Sequence, residues 1–246
     1  MEALKPNEGR AKFAIIFIWI VMAMEIISLI SDYFQYTLLQ SAANGETLEM
    51  DVATANDTRQ RVIAVLHLIF FVISGITFIQ WFRRAYYNLH LKTDTLTHHE
   101  GWAAGSWFTP IVNFYLPYQI MKELYVETRK LFIPKWGDET QNLSTTLVGW
   151  WWALWIISSV LGQIVFQVTM RGDNTIDTLS FTTMTSMIES IVDIPLAIIT
   201  FKVIKDYSRA ELLLFDLHDE NPEDPNHPEL IIPYAEEIKT ENQEEV

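Results

Sequence analysis

The sequence predicts an all-α fold: a polytopic membrane helix bundle of four transmembrane helices plus a proline-broken interfacial or re-entrant segment. Three observations predict it. Mean hydropathy is +0.13 although 20% of the 246 residues are charged, so charge and apolar surface are segregated along the chain. Four stretches each offer about 20 mainly apolar residues, enough for a hydrocarbon core of ~30 Å. The basic residues gather on one side of those stretches, as the positive-inside rule requires.

The first predicted span covers about 13–39. Its apolar run is too long for a signal peptide, and no small-residue cleavage site comes soon after it, so it reads as an uncleaved anchor. The second covers 62–82, the third 145–168 and the fourth 179–204. Residues 101–120 could also span by length, but Gly101, Gly105, Pro110 and Pro117 interrupt them. Charge arbitrates. With four spans and the N-terminus inside, the outer side holds only Arg59, Arg61 and Arg171. A fifth span would move Lys122, Arg129, Lys130 and Lys135 outside as well, against the rule. Residues 101–124 are therefore expected in the inner interface or in a re-entrant position, with any irregular backbone covered by protein or water.

The expected organisation is a helix-bundle domain over 1–215 and an acidic cytoplasmic tail over 216–246. The tail carries 11 acidic residues from Asp216 to Glu245 against one basic residue, Lys239, and four prolines. Such a segment cannot bury enough apolar surface to offset its ordering entropy and is expected to be disordered. Leu230, Ile231, Ile232 and Tyr234 make a short apolar island in it. The two halves echo each other weakly, each with a span, a short outer loop, a second span and a basic exit.

Composition excludes several classes. The chain has no cysteine, hence no disulfide framework, thiolate metal site or thiol nucleophile. A net charge of −14 argues against nucleic-acid binding. Gly101 and Gly105 lack the lysine of a phosphate loop, and the adjacent His98 and His99 are poorly spaced for chelation. No cofactor or metal is expected, and no nucleophile–base motif is present.

Tryptophans 81, 102, 107, 136 and 150–152 fall near the predicted inner interface and read as an aromatic belt. Two clusters lie among them. One runs Trp81-Phe82-Arg83-Arg84-Ala85-Tyr86-Tyr87-Asn88-Leu89. The other runs Trp107-Phe108-Thr109-Pro110-Ile111-Val112-Asn113-Phe114-Tyr115-Leu116-Pro117, with Glu123-Leu124 shortly after it. Together they resemble the bacterial membrane family DUF4328, a domain of unknown function. The resemblance implies a multi-pass protein of the bacterial cytoplasmic (inner) membrane and brings no activity, cofactor or catalytic residue. The interfacial motif is Trp81, Arg83, Arg84, Asn88, Trp107, Pro110, Asn113, Pro117 and Glu123. Arg83 and Arg84 are expected to pair lipid phosphates or Glu123. Asn113 is expected to satisfy backbone groups the prolines leave free.

Charged residues within spans cost ~2.5–3.5 kcal/mol at a helix centre and are functional candidates by default. Glu25 lies mid-way in the first span. Glu189 and Asp193 share one face of the fourth at i, i+4. No Lys or Arg lies deep enough to be an obvious partner. With Asp32 and His67, an imidazole able to relay protons, they make an ion or proton pathway candidate. Polar stripes accompany them, including Ser159, Gln163 and Gln167 on the third span. The alternative is interhelical packing through hydrogen bonds worth ~0.6 kcal/mol each.

Three functions fit these features. The first is a non-enzymatic, partner-binding or accessory membrane subunit, using the acidic tail and the interfacial elbow as contact surfaces. The second is a small cation or proton transporter or channel-like protein using the buried carboxylates. The third and least favoured is a lipid enzyme using Arg84, His98, His99 and Glu123. The bilayer, a membrane or cytosolic protein and a second copy are the expected partners, with both termini cytoplasmic.

Overall fold

The computed structural model describes residues 3–136, 143–173 and 175–217, and no strand occurs among them. The elements are α1 (Glu8–Ala43), α2 (Met50–His90), α3 (Trp102–Gly105), α4 (Leu116–Trp136), α5 (Thr145–Met170) and α6 (Ile176–Asp216). The chain divides after Leu212. Of the C-terminal unit only the end of α6 and Leu217 are described, so the predicted acidic tail and its apolar island lie outside the described residues.

Three helices are long and apolar enough to cross a membrane: α1, α2 and α5. These are the composition and lengths of a membrane protein. The fourth predicted span falls inside α6, a continuous helix of 41 residues that carries Glu189, Asp193 and Pro195. At 1.5 Å per residue, α1 with its 36 residues is ~54 Å long, so it projects well past any hydrocarbon core. The exposed side chains of its outer face are Phe13, Ile16, Trp19, Ile26, Ile27 and Ile30. In an apolar medium that face carries no penalty.

Long-range bonds define how the helices run. Moving up α1, Asn7, Glu25 and Gln35 meet Glu211, Ser190 and Thr183 of α6, so these two helices are antiparallel. Along α1, Asn7, Ser31 and Gln35 meet Trp81, Arg59 and Asn56 of α2, again antiparallel. The α1–α2 and α5–α6 turns use one device. Gly45 (φ 84°) and Gly172 (φ 69°) each stand two residues past a helix end in the left-handed region that glycine enters without a Cβ clash.

The predicted broken segment is broken. After α3 come two 3-10 turns, Ser106–Phe108 and Val112–Phe114. Between them Ile111 is held at φ 68°, ψ −47°, with Val112 N donating to Pro110 O at 2.8 Å. This three-residue γ-turn is of the rare, strained hand. Pro117 does something else: it sits in the first turn of α4, where its missing N–H would have no helical partner anyway. Residues 116–124 of the predicted interfacial segment are thus ordinary helix.

The aromatic belt needs correction. Trp81 is fully buried, and Trp151 and Trp152 are nearly so, whereas Trp102 and Trp150 are exposed. Phe78, Trp107, Trp151, Trp152 and Trp155 form one cluster, with ring centroids 4.6–6.3 Å apart along its contacts. The indole Nε1 of Trp81 donates to Ser208 Oγ at 3.1 Å. Trp81, Trp107, Trp151 and Trp152 thus fill the space between α2, α5, α6 and the elbow, where ring contacts and burial stabilise them, while Trp102 and Trp150 keep the outward position. The side chain of Trp136 lies outside the described residues.

Candidate functional site

Glu25 lies in the middle of α1 with a side chain only 5% exposed. His67 of α2 brings Nε2 to 2.7 Å from Glu25 Oε1, and Ser190 of α6 donates its hydroxyl to Oε2 at 3.0 Å. Three helices thus converge on one carboxylate. The neighbour of Glu25 is an imidazole rather than a lysine or arginine. Glu189 and Asp193 flank this point on α6, near enough for their charges to act on His67.

The α5 side of the site is one residue out of step with the polar stripe expected there. Gln163 and Gln167 face outward, and Ser159 bonds back to Trp155 O at 2.7 Å. Ser158 and Gly162 face α6 instead. Ser158 meets the Asp193 carboxylate. At Gly162 an added Cβ would stand 2.7 Å from Glu189 Oε1, so glycine lets that carboxylate lie directly on the α5 backbone. Asp193 keeps one buried oxygen, Oδ1, without a hydrogen-bond partner.

Toward the α1–α2 turn lies a second, separately hydrogen-bonded polar set. Gln60 donates to Asp32 Oδ1 at 3.1 Å. Arg59 donates to Ser31 Oγ at 3.0 Å and to Asn56 Oδ1 at 2.6 Å. Asn56 donates to Gln35, and Gln35 donates to Thr183 Oγ1 at 2.8 Å. Of the five pathway candidates, Glu25, Asp32 and His67 thus lie where α1 and α2 meet, while Glu189 and Asp193 of α6 lie beside them and against α5. Among the described residues, no group of three His, Asp or Glu is placed to hold a metal ion.

The interfacial motif splits in two. Glu123 does not pair an arginine: it accepts from Tyr86 Oη at 2.6 Å and from Thr97 N at 2.5 Å. Arg83 instead stands 3.7 Å from Glu100, and Arg84 lies over the Tyr87 ring. The reason is reach. Tyr86 and Glu123 face one another across the α2–α4 contact, while the arginines point to the outside of α2. Tyr86 also donates to His98 O, and His90 Nε2 lies 3.0 Å from the same carbonyl, so Glu123 and Tyr86 fasten the 91–101 loop. The buried Oδ1 of Asn113 has no hydrogen-bond partner among the described residues. Tyr86→Phe is expected to destabilise by about 1–2 kcal/mol, because it removes a bond to a charged acceptor. Thermal unfolding in detergent, with proteolysis at the 91–101 loop, checks it.

Asn88 belongs to a second centre that hydropathy and motif spacing do not reveal. Glu211 is 4% exposed and accepts from Asn88 Nδ2 at 2.7 Å and from Asn7 Nδ2 at 2.9 Å. Asn88 also clasps the backbone of Lys5, donating to its carbonyl at 2.9 Å and accepting from its N–H at 3.0 Å. Asn7, at the N-cap of α1, gives no bond to its own helix because its amide goes to Trp81 O and Glu211. Burial pushes the Glu211 carboxyl up to about 7, against the opposing pull of the two amides and of Arg84 and Arg10. The available signal was an acid shortly past an apolar run, at a position predicted to be outside the membrane.

A family described as a domain of unknown function, DUF4328, matches residues 44–209. No curated protein and no solved structure matches the chain.

Proposed function

The chain belongs to the DUF4328 family, and from that premise we propose that it is a four-span protein of the bacterial inner membrane that passes protons or small cations along the face between α1, α2 and α6. One observation carries the reading: a buried carboxylate on α1, Glu25, is met at 2.7 Å by His67 and at 3.0 Å by Ser190. A merely structural helix contact needs no ionisable group in hydrocarbon, where each is costly. Here four cluster, and Gly162 makes room for one of them.

Taking α6 as the fourth span, with 101–115 at the inner interface, supports both termini in the cytoplasm. The exposed Phe108, Ile111, Phe114 and Tyr115 suit an interfacial position of the elbow. The Thr183–Gln35–Asn56–Arg59–Ser31 chain then forms the outer approach to Glu25. The accessory-subunit reading rests on the acidic tail, which lies outside the described residues, and on the elbow, whose exposed rings suit a partner as well as an interface; the carboxylates clustered around His67 are what support transport.

The test is reconstitution in vesicles carrying an internal pH-sensitive dye, with a potassium–valinomycin potential as the driving force. The wild-type chain is expected to shift the internal pH faster than protein-free vesicles. Glu25→Gln and Asp193→Asn, which keep shape and remove charge, are expected to slow it at least tenfold. Flux no faster than in protein-free vesicles, or flux unchanged in both variants, refutes the reading for protons. The same vesicles with sodium or potassium gradients test small cations.

A further inference from the structure

Beyond the transmembrane cluster, a second set of side chains is arranged for a ligand. Lys5 Nζ lies 4.2 Å from the centroid of the Tyr87 ring, and the Arg84 guanidinium lies 5.7 Å from the same centroid. Arg10, on the first turn of α1, is close enough to Arg84 for the two to repel. Three cations thus share one patch. Among the described residues none of them is within ion-pair distance of a carboxylate. Glu8 is taken by Lys12 at 2.8 Å, and Glu211 lies beneath the patch with its oxygens held by Asn7 and Asn88.

The patch is also built rather than accidental. Lys5 is not on a helix. It is held against α2 by the two-way clasp of Asn88 on its backbone. Its charge is thereby brought next to Arg84, and the buried Glu211 beneath offsets at most one of the three positive charges, so a further anion lowers the electrostatic energy. Below the patch begins the exposed apolar face of α1, with Phe13 at 61% and Ile16 at 51% exposure. Arg10 to Phe13 is three residues, ~4.5 Å along the axis. The cations therefore stand one headgroup above the start of an apolar surface.

We propose that Lys5, Arg10 and Arg84, around Tyr87, bind the phosphate of an anionic phospholipid headgroup, whose acyl chains lie along Phe13 and Ile16. The tyrosine ring holds the two cations in place, and the Asn88–Glu211–Asn7 bonds fix the N-terminal segment that supplies one of them. This site is independent of the proton path and survives its failure.

The experiment uses the full chain purified in a mild detergent and exchanged with defined lipids, with native mass spectrometry counting those retained. Phosphatidylglycerol is expected to be held in preference to phosphatidylcholine. Basic residues near a membrane surface add roughly fivefold each in affinity, so neutralising three predicts about a hundredfold loss. Lys5→Gln/Arg10→Gln/Arg84→Gln should therefore lose the preference. Arg171→Gln, at the opposite end of the bundle, should keep it. Lys5→Arg/Arg84→Lys preserves charge and should also keep it, which covers the case in which the neutralised variant does not fold. Equal retention of the two lipids, or retention unchanged in the triple variant, overturns the proposal. So does loss in the charge-preserving variant equal to that in the neutralised one. Displacement of phosphatidylglycerol by millimolar inorganic phosphate would reassign the patch to a soluble anion and overturn the headgroup assignment.

Discussion

Replacing His67 with alanine is expected to cost about 3 kcal/mol of stability and to stop any function that depends on Glu25. The carboxylate is 5% exposed, with His67 at one oxygen and Ser190 at the other. Without the imidazole it keeps a single hydroxyl donor. Breaking a buried charged contact from one side leaves the other group desolvated, which is why such losses exceed the net worth of the contact. The sign of the second change tests the cause. Glu25→Gln in the His67→Ala background should recover part of the loss, since a neutral amide is cheaper to bury than a carboxylate. Thermal unfolding of the two single variants and the double variant in one detergent closes the cycle. Additive losses would show that the two side chains act separately.

Asn88→Ala is expected to be about as severe, near 3 kcal/mol, and to free residues 3–7 from α2. One side chain makes three bonds: two to the Lys5 backbone and one to Glu211. Above pH 7, where Glu211 is ionised, its bond to Asn88 contributes about 1.5–3 kcal/mol, and the neutral bonds about 1 kcal/mol each. Limited proteolysis of the N-terminal segment reports the release directly. The same centre sets a pH dependence. Glu211 is raised in the folded chain to about 7 from an ordinary 4.5. Below about 4.5 the carboxyl is protonated in both states. Between 4.5 and 7 only the folded state keeps the proton, so the unfolded state binds fewer protons and stability falls as pH rises. Above 7 the loss is complete. Glu211→Gln should flatten that slope between pH 4.5 and 7, and an unchanged slope would assign it to other groups.

How much of the fold and site was legible in the sequence depends on how local each feature is. The spans in α1, α2 and α5 could be read from hydropathy alone, because lipid-facing helices need no partner to declare themselves. The elbow could be read from Pro110, since a proline acts on its own backbone. Pro117 escapes that rule, because a proline opening a helix and one ending it differ only in the conformation of the residues C-terminal to them. The intramembrane carboxylates were conspicuous because charge in hydrocarbon is rare.

Their partners were not legible. Ser159 and Ser158 are neighbours in sequence and about 100° apart on a helix, and only the packing of α5 on α6 chose the second. Tryptophans 81, 151 and 152 have the composition of an interfacial belt, yet whether a ring at a helix end meets lipid or another ring depends on which helix stands next to it. Glu123 found Tyr86 rather than an arginine for the same reason. Asn7 and Glu211 are 204 residues apart, and nothing in either neighbourhood marks the other. The sequence by itself determined what each helix is made of and which faces it offers. The tertiary structure alone decided which faces meet, because helix pairing is settled by contacts between residues far apart in the chain.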